Sequence, residues 1–546
     1  MAERAERSRP VAGAASSSRI VAAGILASRS LGLVREMLLA ALAGTGLAAD
    51  VVQFALRGPN VLQNLLGEQA LSASFIPIYS RMLAEGRESE ARRFAGAVFG
   101  LLGLVVATLA AGLAVIAPAW VTVFAPGFLE RPDAFGLAVT GIRILLPMTA
   151  VLVLSSWCLA VLNSHRRFFL PYFAPVLWNV SLVAALGALA WRVESPAART
   201  VVLTVAVAAL VGGVLQFAVQ VPLALRMNGG LDPRPSLRAP GVRPAIRTFL
   251  PALLGRGSVQ LSGTLDYLLA SLLAAGAIGA LGFAQRLYLL PVALFGTALA
   301  VVELPEVSRL EPTSGGAASL ERLRFGIGQV GFLTVQAAVG FLTLGWLVVA
   351  LVYQRGEFGI ADTWLVYGVL GTYALGLVAS TTSRLVQNVF YAGRDTATPA
   401  KRGFLRVLVQ ASVGGALMLW LDRYSVARLT GDRGDDALRL GAVGLAAGSA
   451  VAAWVELGAL VAALRAREAA PAGTPKLPWR RLVLFTAVAI AASVLSGLVW
   501  LLARELPTIL VAILVLPTFI ASYLAIAGLL KLPELVGFWG RLRPFG

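Results

Sequence analysis

Residues 28–68 read SRSLGLVREMLLAALAGTGLAADVVQFALRGPNVLQNLLGE, and this stretch decides how the chain is interpreted. It is mostly apolar, yet it carries Arg29, Arg35 and Arg57 inside segments long enough to cross a bilayer. An arginine at the centre of a membrane helix costs about 2.5–3.5 kcal/mol on insertion scales, so it normally faces a watery cavity or an anion. Arg29 and Arg35 lie about 120° apart around a helix, and we expect both to face one wide cavity.

The composition around this stretch is that of a polytopic membrane protein. Of 546 residues, 58% are hydrophobic and 14% are charged, whereas a soluble globular protein has about 25% charged residues. The net charge of +18 fits basic cytoplasmic loops and does not require a nucleic-acid partner. Because Cys158 is the only cysteine, an intramolecular disulfide is excluded. Residues 1–20 are polar and basic, and we expect an uncleaved first helix after them.

Apolar runs predict the fold class: all-α, with about fourteen transmembrane helices. The predicted spans cover residues 18–43, 48–80, 94–118, 136–163, 169–191, 200–225, 246–275, 278–306, 324–352, 362–391, 403–421, 438–464, 480–503 and 507–530. The second span contains Gly58 and Pro59, where we expect a kink or break. With the N-terminus inside, about 30 basic residues lie in inside segments and about 9 in outside loops, which predicts cytoplasmic termini.

A weak internal repeat is visible at an offset near 228 residues. It aligns Arg57 with Arg286 and Arg29 with Arg256, and it aligns LNSHRRFFLP at 162–171 with FYAGRDTATP at 390–399. We therefore expect two six-helix parallel repeats forming two lobes around a central cavity, with two further helices at the C-terminus. The predicted parts are a cytoplasmic tail (1–20), an N-lobe (21–227), a cytoplasmic linker (228–247), a C-lobe (248–465), and a linker with the last two helices and a cytoplasmic tail (466–546).

Several kinds of catalytic chemistry are excluded by absent residue types. None of the three lysines follows a glycine, so there is no Walker A phosphate loop, and the single histidine, His165, excludes a zincin motif. No serine has the glycine spacing of a nucleophile elbow. We therefore predict a transporter without a cofactor or bound metal.

The intramembrane charges are the candidate functional residues. Arg29, Arg35, Arg57 and Arg286 are predicted to bind a phosphate-bearing substrate, because the guanidinium fork matches phosphate bidentately. The alternative is that each arginine pairs internally. The internal partners would be Glu36, Asp50, Glu68, Asp266 or Glu303. The candidate gating or charge partners are Glu36, Asp50, Glu68, Arg256 and Asp266. Arg256 is included because the repeat relates it to Arg29, and Asp50 has the further alternative of only beginning a helix. For Arg143 and Arg384, near span ends, we favour snorkelling or structural pairing.

A set of short words in the sequence matches one known family. The words are Ser28-Arg29, Leu31-Gly32, Arg35-Glu36, Ala49-Asp50, Pro59-Asn60, Gly67-Glu68, SFIP at 74–77, Leu162-Asn163, PYFAP at 171–175, Asn179, AQRL at 284–287, Leu304-Pro305, Phe390-Tyr391, Asp395-Thr396 and Thr398-Pro399. With these words the chain resembles the MurJ (MviN) family of lipid II flippases, from about residue 21 to 470. The resemblance implies the fourteen-helix fold of the multidrug, oligosaccharidyl-lipid and polysaccharide exporter superfamily, with cavity arginines at Arg29, Arg35 and Arg286.

The chain departs from the family pattern at three places. Gln63 and Asn64 stand where members often have an arginine pair, and Arg57 lies nearly two helical turns before them. Gln285 replaces an acidic residue that often precedes the Arg286 position. Some relatives bind sodium between the seventh, eleventh and twelfth helices; Asp266 fits one ligand, but QASVG at 410–414 lacks the expected Asn and Asp. We therefore do not assign a sodium site.

The resemblance implies a function in cell-wall synthesis. The expected activity is translocation of lipid II, an undecaprenyl-diphosphate-linked peptidoglycan precursor, from the inner to the outer leaflet of the bacterial cytoplasmic membrane by alternating access. Membrane lipids and other cell-wall synthesis proteins are the remaining candidate partners. The alternatives are export of another lipid-linked glycan or of drugs, and, from a different class, a membrane glycosyltransferase. A cationic-drug site should be acidic, whereas these intramembrane charges are basic.

Overall fold

The computed structural model describes residues 11–292, 317–392, 395–427, 438–467 and 478–535. The chain divides into two compact units, Met1–Leu272 and Leu273–Gly546. In the described ranges the chain is almost entirely helical, and ten helices are long and apolar enough to cross a membrane. The all-α polytopic fold predicted from the apolar runs is confirmed.

The first unit contains ten helices among its described residues. They are α1 (Val11–Ala43), α2 (Leu47–Leu66), α3 (Glu68–Ser74), α4 (Ile76–Ala84), α5 (Glu88–Val115), α6 (Ala117–Phe124), α7 (Pro132–Ser164), α8 (Phe169–Arg192), α9 (Ala198–Asn228) and α10 (Val242–Ser271). Helix α7 is the central element, since it packs against α2, α5 and α9. The predicted C-lobe begins at residue 248, inside α10, which packs on α2 and α3 of this first unit.

The second predicted span is broken, but not at Gly58 and Pro59 as expected. Helix α2 runs through Pro59 and ends at Leu66. The break falls at Gly67, whose ψ of −137° leaves the helical range, and again at Phe75. A Cβ on Gly67 would collide with the Gln63 carbonyl oxygen, so only glycine fits this turn.

Two adjacent glycines in α9 allow this helix to pack closely on its neighbours. A Cβ on Gly212 would lie 2.9 Å from Trp178 Cα in α8, and one on Gly213 would lie 2.9 Å from Met148 Cγ in α7. Without side chains at these two positions α9 approaches both helices closely, as small residues allow in membrane bundles. Gln216 and Gln220 follow Gly212 at intervals of four, so they lie on the same stripe of α9.

The second unit contains nine helices among its described residues. They are α11 (Ala277–Pro291), α12 (Ala317–Tyr353), α13 (Ile360–Leu375), α14 (Leu377–Ala392), α15 (Ala397–Val409), α16 (Gly415–Leu421), α17 (Gly441–Arg467), α18 (Trp479–Ala503) and α19 (Thr508–Leu529). A π-helical segment, Gln410–Gly414, joins α15 to α16. The last two helices pack on each other and on α12, where the Tyr523 hydroxyl donates to the Phe332 carbonyl at 2.7 Å.

The helix bounds repeat at the offset seen in the sequence. Helix α7 begins at Pro132 and α13 at Ile360, a difference of 228. Helix α8 begins at Phe169 and α15 at Ala397, again 228. These two helix starts match the repeat offset read from the sequence, and the shared order of helices in the two halves stays a prediction.

Candidate functional site

The side chain of Arg35 is the centre of a buried polar cluster in the first unit. It is 7% exposed, and its Nη2 donates to Glu36 Oε1 at 2.6 Å. Its Nη1 donates to Asn179 Oδ1 at 3.4 Å, and its guanidinium carbon lies 4.9 Å from the centre of the Trp178 ring. Gln53 Nε2 donates to the second oxygen of Glu36 at 3.1 Å. The cluster therefore joins α1, α2 and α8 through one guanidinium and one carboxylate.

Asn179 links the Arg35 cluster to Ser28, which is also on α1. Its Nδ2 donates to the Ser28 hydroxyl at 3.2 Å and to the Pro175 carbonyl at 3.3 Å. Because a carbonyl only accepts, these bonds set the amide so that Oδ1 faces Arg35. Gly32, one turn before Glu36, lies against the same amide, since a Cβ there would be in van der Waals contact with Asn179 Oδ1 at 3.6 Å.

Arg29 differs from Arg35 in its surroundings. It lies on α1 in the same unit, and its side chain is exposed. Within the part of the chain that the structure describes, Arg29 has no hydrogen bond or ion pair. Of the two arginines predicted to share a cavity, Arg35 is thus held in an internal pair and Arg29 is available to an external anion.

Arg57 lies on α2 and faces α10. Its guanidinium carbon is 5.3 Å from the centre of the Tyr267 ring, and its buried Nε has no hydrogen-bond partner among the described residues. A Cβ on Gly263 would collide with the Arg57 guanidinium, so this glycine makes room for it. A cation stacked on an aromatic ring with an unused donor retains hydrogen-bonding capacity for an anion.

Asp50 pairs with an arginine from a predicted outside loop. The carboxylate is 1% exposed, and its Oδ2 lies 3.8 Å from Arg131 Nη1. Asp50 is in the first turn of α2, where a carboxylate also offsets the helix dipole. Arg131 Nη2 donates to the Ser271 carbonyl at 3.0 Å, so this pair connects α2, the segment before α7 and the end of α10.

The remaining predicted residues fall in three places. Asp266 is buried in α10, next to Tyr267. Arg286 is exposed on α11 in the second unit. The Arg256 side chain and all of Glu303 lie outside the described residues. Among the described residues there is no group of three or more His, Cys, Asp or Glu suited to a metal ion.

A polar cavity of about 290 Å³ opens beside the Arg35 cluster in the first unit. Its wall includes Trp178 and Asn179, the two α8 residues that contact Arg35. Its other polar lining residues are Ser28, Asn60, Gln63, Asn64, Glu68, Ser155, Ser156, Gln216 and Gln220. Of the described residues in this lining only Glu68 is charged, and across the described ranges it forms no ion pair. The predicted pairing of Glu68 with a cavity arginine stays a prediction.

Sequence reasoning missed most of this lining. Gln216 and Gln220 were visible as two amides spaced by four residues in an apolar span, and Ser155 and Ser156 as a polar pair in another. Intramembrane polar residues normally face a bundle interior, so this signal was present in the sequence. Tyr267 and Gly263 carried no such signal, because only the packing of α10 on α2 brings them to Arg57.

The second unit has its own buried charge cluster. Glu456 on α17 is 3% exposed, and Arg406 Nη1 donates to its Oε2 at 2.9 Å. Gln387 Nε2 donates to its other oxygen at 3.1 Å. This pair joins α14, α15 and α17 and neutralises a carboxylate that would otherwise be unpaired in a membrane helix.

The sole histidine belongs to a cluster at the turn between α7 and α8. The Tyr79 hydroxyl donates to Asn228 Oδ1 at 2.9 Å and lies 3.1 Å from His165 Nε2. Burial lowers the pKa of His165 below 6.5, while nearby Glu88 acts in the opposite direction. The neutral imidazole is therefore the form that fits the fold.

The fold and these intramembrane charges define a multi-helix membrane transporter. Comparison with known proteins identifies which kind of transporter it resembles. The chain is similar to a solved lipid II flippase MurJ in an inward closed conformation, with a TM-score of 0.71, 19% identity, and coverage of 94% of this chain and 99% of that one. It is also similar to an inward-facing multidrug resistance MATE family transporter of the MOP superfamily, with a TM-score of 0.61, 16% identity, and coverage of 80% and 94%. At these identities the likeness shows the fold alone.

Sequence comparison identifies the family within that class. The family described as lipid II flippase MurJ matches residues 39–520. The chain is 30% identical over 494 residues to a probable lipid II flippase MurJ of Haemophilus influenzae, covering 88% of this chain and 91% of that protein. It is 32% identical over 417 residues to the lipid II flippase MurJ of Burkholderia cenocepacia, covering 75% and 77%. This chain belongs to the MurJ family.

Proposed function

We propose that this chain translocates lipid II across the bacterial cytoplasmic membrane for peptidoglycan synthesis. Membership of the MurJ family supports the substrate, since the family and its relatives are described as lipid II flippases. The structural observation that carries the proposal is the buried Arg35 cluster beside a polar cavity inside a membrane helix bundle. A purely structural helix bundle has little need for an intramembrane arginine and a cavity lined by amides.

The diphosphate of the substrate is the group that these arginines suit. A guanidinium donates two parallel hydrogen bonds to phosphate oxygens, and charge-assisted bonds of this kind contribute about 1.5–3 kcal/mol each. Arg29 is exposed and Arg57 has an unused donor, so both can bind the anion without breaking an existing pair. Arg35 would instead exchange Glu36 for phosphate or keep the carboxylate as a permanent partner. Arg286 is proposed as a further phosphate-binding residue.

Glu36, Asp50, Glu68, Arg256 and Asp266 are proposed as charge partners during the transport cycle. Glu36 already neutralises Arg35, and Asp50 lies beside Arg131. A carboxylate beside each intramembrane guanidinium lowers the cost of the substrate-free state. Substrate binding then replaces one anionic partner by another, and alternating access moves the complexed headgroup while the lipid tail stays in the membrane.

The proposed orientation places both termini in the cytoplasm. The distribution of arginines supports it, with about 30 basic residues in inside segments and about 9 in outside loops. Lipid II and membrane lipids are the proposed partners, and association with other cell-wall synthesis proteins remains a prediction.

Growth of a bacterial strain depleted of its own lipid II flippase tests this function. The wild-type chain should restore growth, whereas Arg29→Ala and Arg286→Ala, at unchanged membrane levels, and Arg35→Ala should not. Lysine at the same positions should restore growth only in part, because a point charge replaces a bidentate fork. Arg504→Ala, at an exposed pair with Glu505, is the matched control and should support growth. Growth on all three alanine variants would refute the proposed role of these arginines.

The double variant Arg35→Gln with Glu36→Gln separates folding from transport. It removes both members of the buried pair, so neither is left beside a neutralised partner and the protein should reach the membrane. If the arginine binds substrate, the double variant still fails to restore growth. Full growth would show that Arg35 serves only to neutralise Glu36.

A further inference from the structure

The cavity in the first unit differs chemically from the arginines around it. Its polar lining consists of amides, hydroxyls and one carboxylate, and no arginine or lysine of the described ranges lines it. Such a surface offers many acceptors to a neutral ligand with hydroxyl or N–H groups, and Glu68 repels an anion. A volume of about 290 Å³ is near the lower end of the roughly 300–1,000 Å³ typical of ligand pockets, and is about ten times the share of one water molecule.

One acceptor in the lining has no partner among the residues that the structure describes. Gln220 is 1% exposed, and its Oε1 makes no hydrogen bond within those residues. The orientation of this amide is determined by its neighbours. Nε2 donates to Ser155 Oγ at 2.7 Å and to the Gln216 carbonyl at 2.9 Å, and a carbonyl cannot donate in return.

The unpartnered oxygen indicates a ligand-binding site, because native proteins rarely bury a polar atom that has no hydrogen-bond partner. Most buried polar groups are hydrogen-bonded, and an exception needs a ligand, a water or a functional role. Ser155 and Gln216 hold the Gln220 amide in place, so its free oxygen is preorganised. Gln220 lines the cavity, so a ligand donor would reach this buried oxygen after a small movement of the side chain.

The cavity lies next to the proposed diphosphate site. Asn179 and Trp178 line it, and Arg35 bonds to the Asn179 amide and stacks on the Trp178 ring. In a sugar linked to a lipid through diphosphate, the first sugar is covalently adjacent to the phosphates. A neutral pocket beside an intramembrane arginine matches that order of groups.

We propose that this cavity binds the uncharged sugar of the lipid-linked substrate, with Gln220 Oε1 accepting a hydrogen bond from a sugar hydroxyl or acylamino N–H. The inference rests on the proposed function and adds a specificity site to it. Asn64 and Glu68 supply further polar groups to the same ligand. The arginines recognise the diphosphate, and the cavity distinguishes a sugar-bearing lipid from one without sugar.

Binding to the purified full-length protein in nanodiscs tests this assignment. The two probes are undecaprenyl diphosphate carrying a disaccharide and undecaprenyl diphosphate alone. Wild-type protein should bind the sugar-bearing lipid more tightly. Gln220→Met should reduce that preference by about fivefold to tenfold, which is the change in affinity expected when one buried neutral hydrogen bond is lost. Binding of the sugarless lipid should be unchanged.

Two further variants keep the test decisive. Asn64 is exposed, so Asn64→Ala should fold and should lower the preference in the same direction. Gln329→Met changes a buried glutamine of the second unit and is the matched control, expected to bind both lipids like wild type. Unchanged preference in properly folded Gln220→Met and Asn64→Ala would overturn the sugar site, as would an equal loss for both lipids.

The remaining outcomes separate this inference from the proposed function. If wild-type protein binds neither lipid, both are overturned. If it binds both lipids equally and still restores growth, the function stands and the sugar site is wrong. Phosphatidylglycerol, whose glycerol group also has hydroxyls, is the competitor that tests another source of the same chemistry. Its displacement of the sugar-bearing lipid from wild type but not from Gln220→Met would overturn the proposal.

Discussion

Glu36→Gln is the substitution whose effect follows most directly from the geometry. Glu36 and Arg35 are 2% and 7% exposed and lie 2.6 Å apart, so the change removes the Glu36 counter-charge from a buried guanidinium. Removing one partner of a buried pair costs about 3–5 kcal/mol. We expect about 3 kcal/mol, the lower end, because Arg35 keeps Asn179 and a cation–π contact with Trp178 that offsets part of the loss.

The assay is reversible unfolding of the purified protein in mixed micelles. Glu36→Gln should lower the free energy of unfolding by that amount, and adding Arg35→Gln should recover part of the loss, because the double variant has no unpaired charge. Glu505→Gln, at an exposed pair, is the control and should leave stability unchanged. Equal stability of Glu36→Gln and Glu505→Gln would refute the reasoning.

Three further results are expected. Because the only native cysteine, Cys158, is buried, single cysteines placed at Glu194 and Arg87 should report the topology. An impermeant thiol reagent added outside intact cells should label the cysteine at position 194 and not the one at position 87. The opposite pattern would reverse the proposed orientation. Burial lowers the pKa of His165, so the contribution of its neutral side chain to stability is complete above pH 6.5 and is lost as pH falls through the lowered value. The Tm of wild type should therefore fall more on acidification than the Tm of His165→Gln. Equal falls in the two proteins would contradict this expectation. Tyr523→Phe should cost about 1 kcal/mol of unfolding free energy by leaving the Phe332 carbonyl without this donor, and an unchanged value would mean that this bond contributes nothing.

The fold was largely predictable because membrane helices can be identified from the length of their apolar segments. The start of α13 at Ile360, 228 residues after α7, matches the offset read from short words such as LNSHRRFFLP. The place of the break in the second span was not predictable from Pro59, because a helix tolerates proline when one backbone donor is dispensable. The helix ends at Gly67 instead, where ψ of −137° leaves the helical range and a Cβ would collide with the Gln63 carbonyl oxygen.

The site was predictable only in part. Intramembrane charge identified Arg35, since its cost marks it out in any apolar span. Its partner was foreseen as one of several alternatives, and the adjacent Glu36 proved to be the one. The pairing of Asp50 with Arg131 was not foreseen, because a loop arginine joins a buried carboxylate only after α2 and the segment before α7 pack together. Gln220 needed the structure, as an unpartnered oxygen has no sequence signature.

The most direct test of the central claim is the leaflet in which lipid II resides. Cells depleted of their own flippase and expressing this chain are treated with an external, membrane-impermeant enzyme that cleaves lipid II. The proposed function predicts that lipid II becomes cleavable with the wild-type chain and stays protected with Arg35→Gln plus Glu36→Gln at equal membrane level. Lipid II that stays protected in cells expressing the wild-type chain would contradict the claim that this protein is a lipid II flippase.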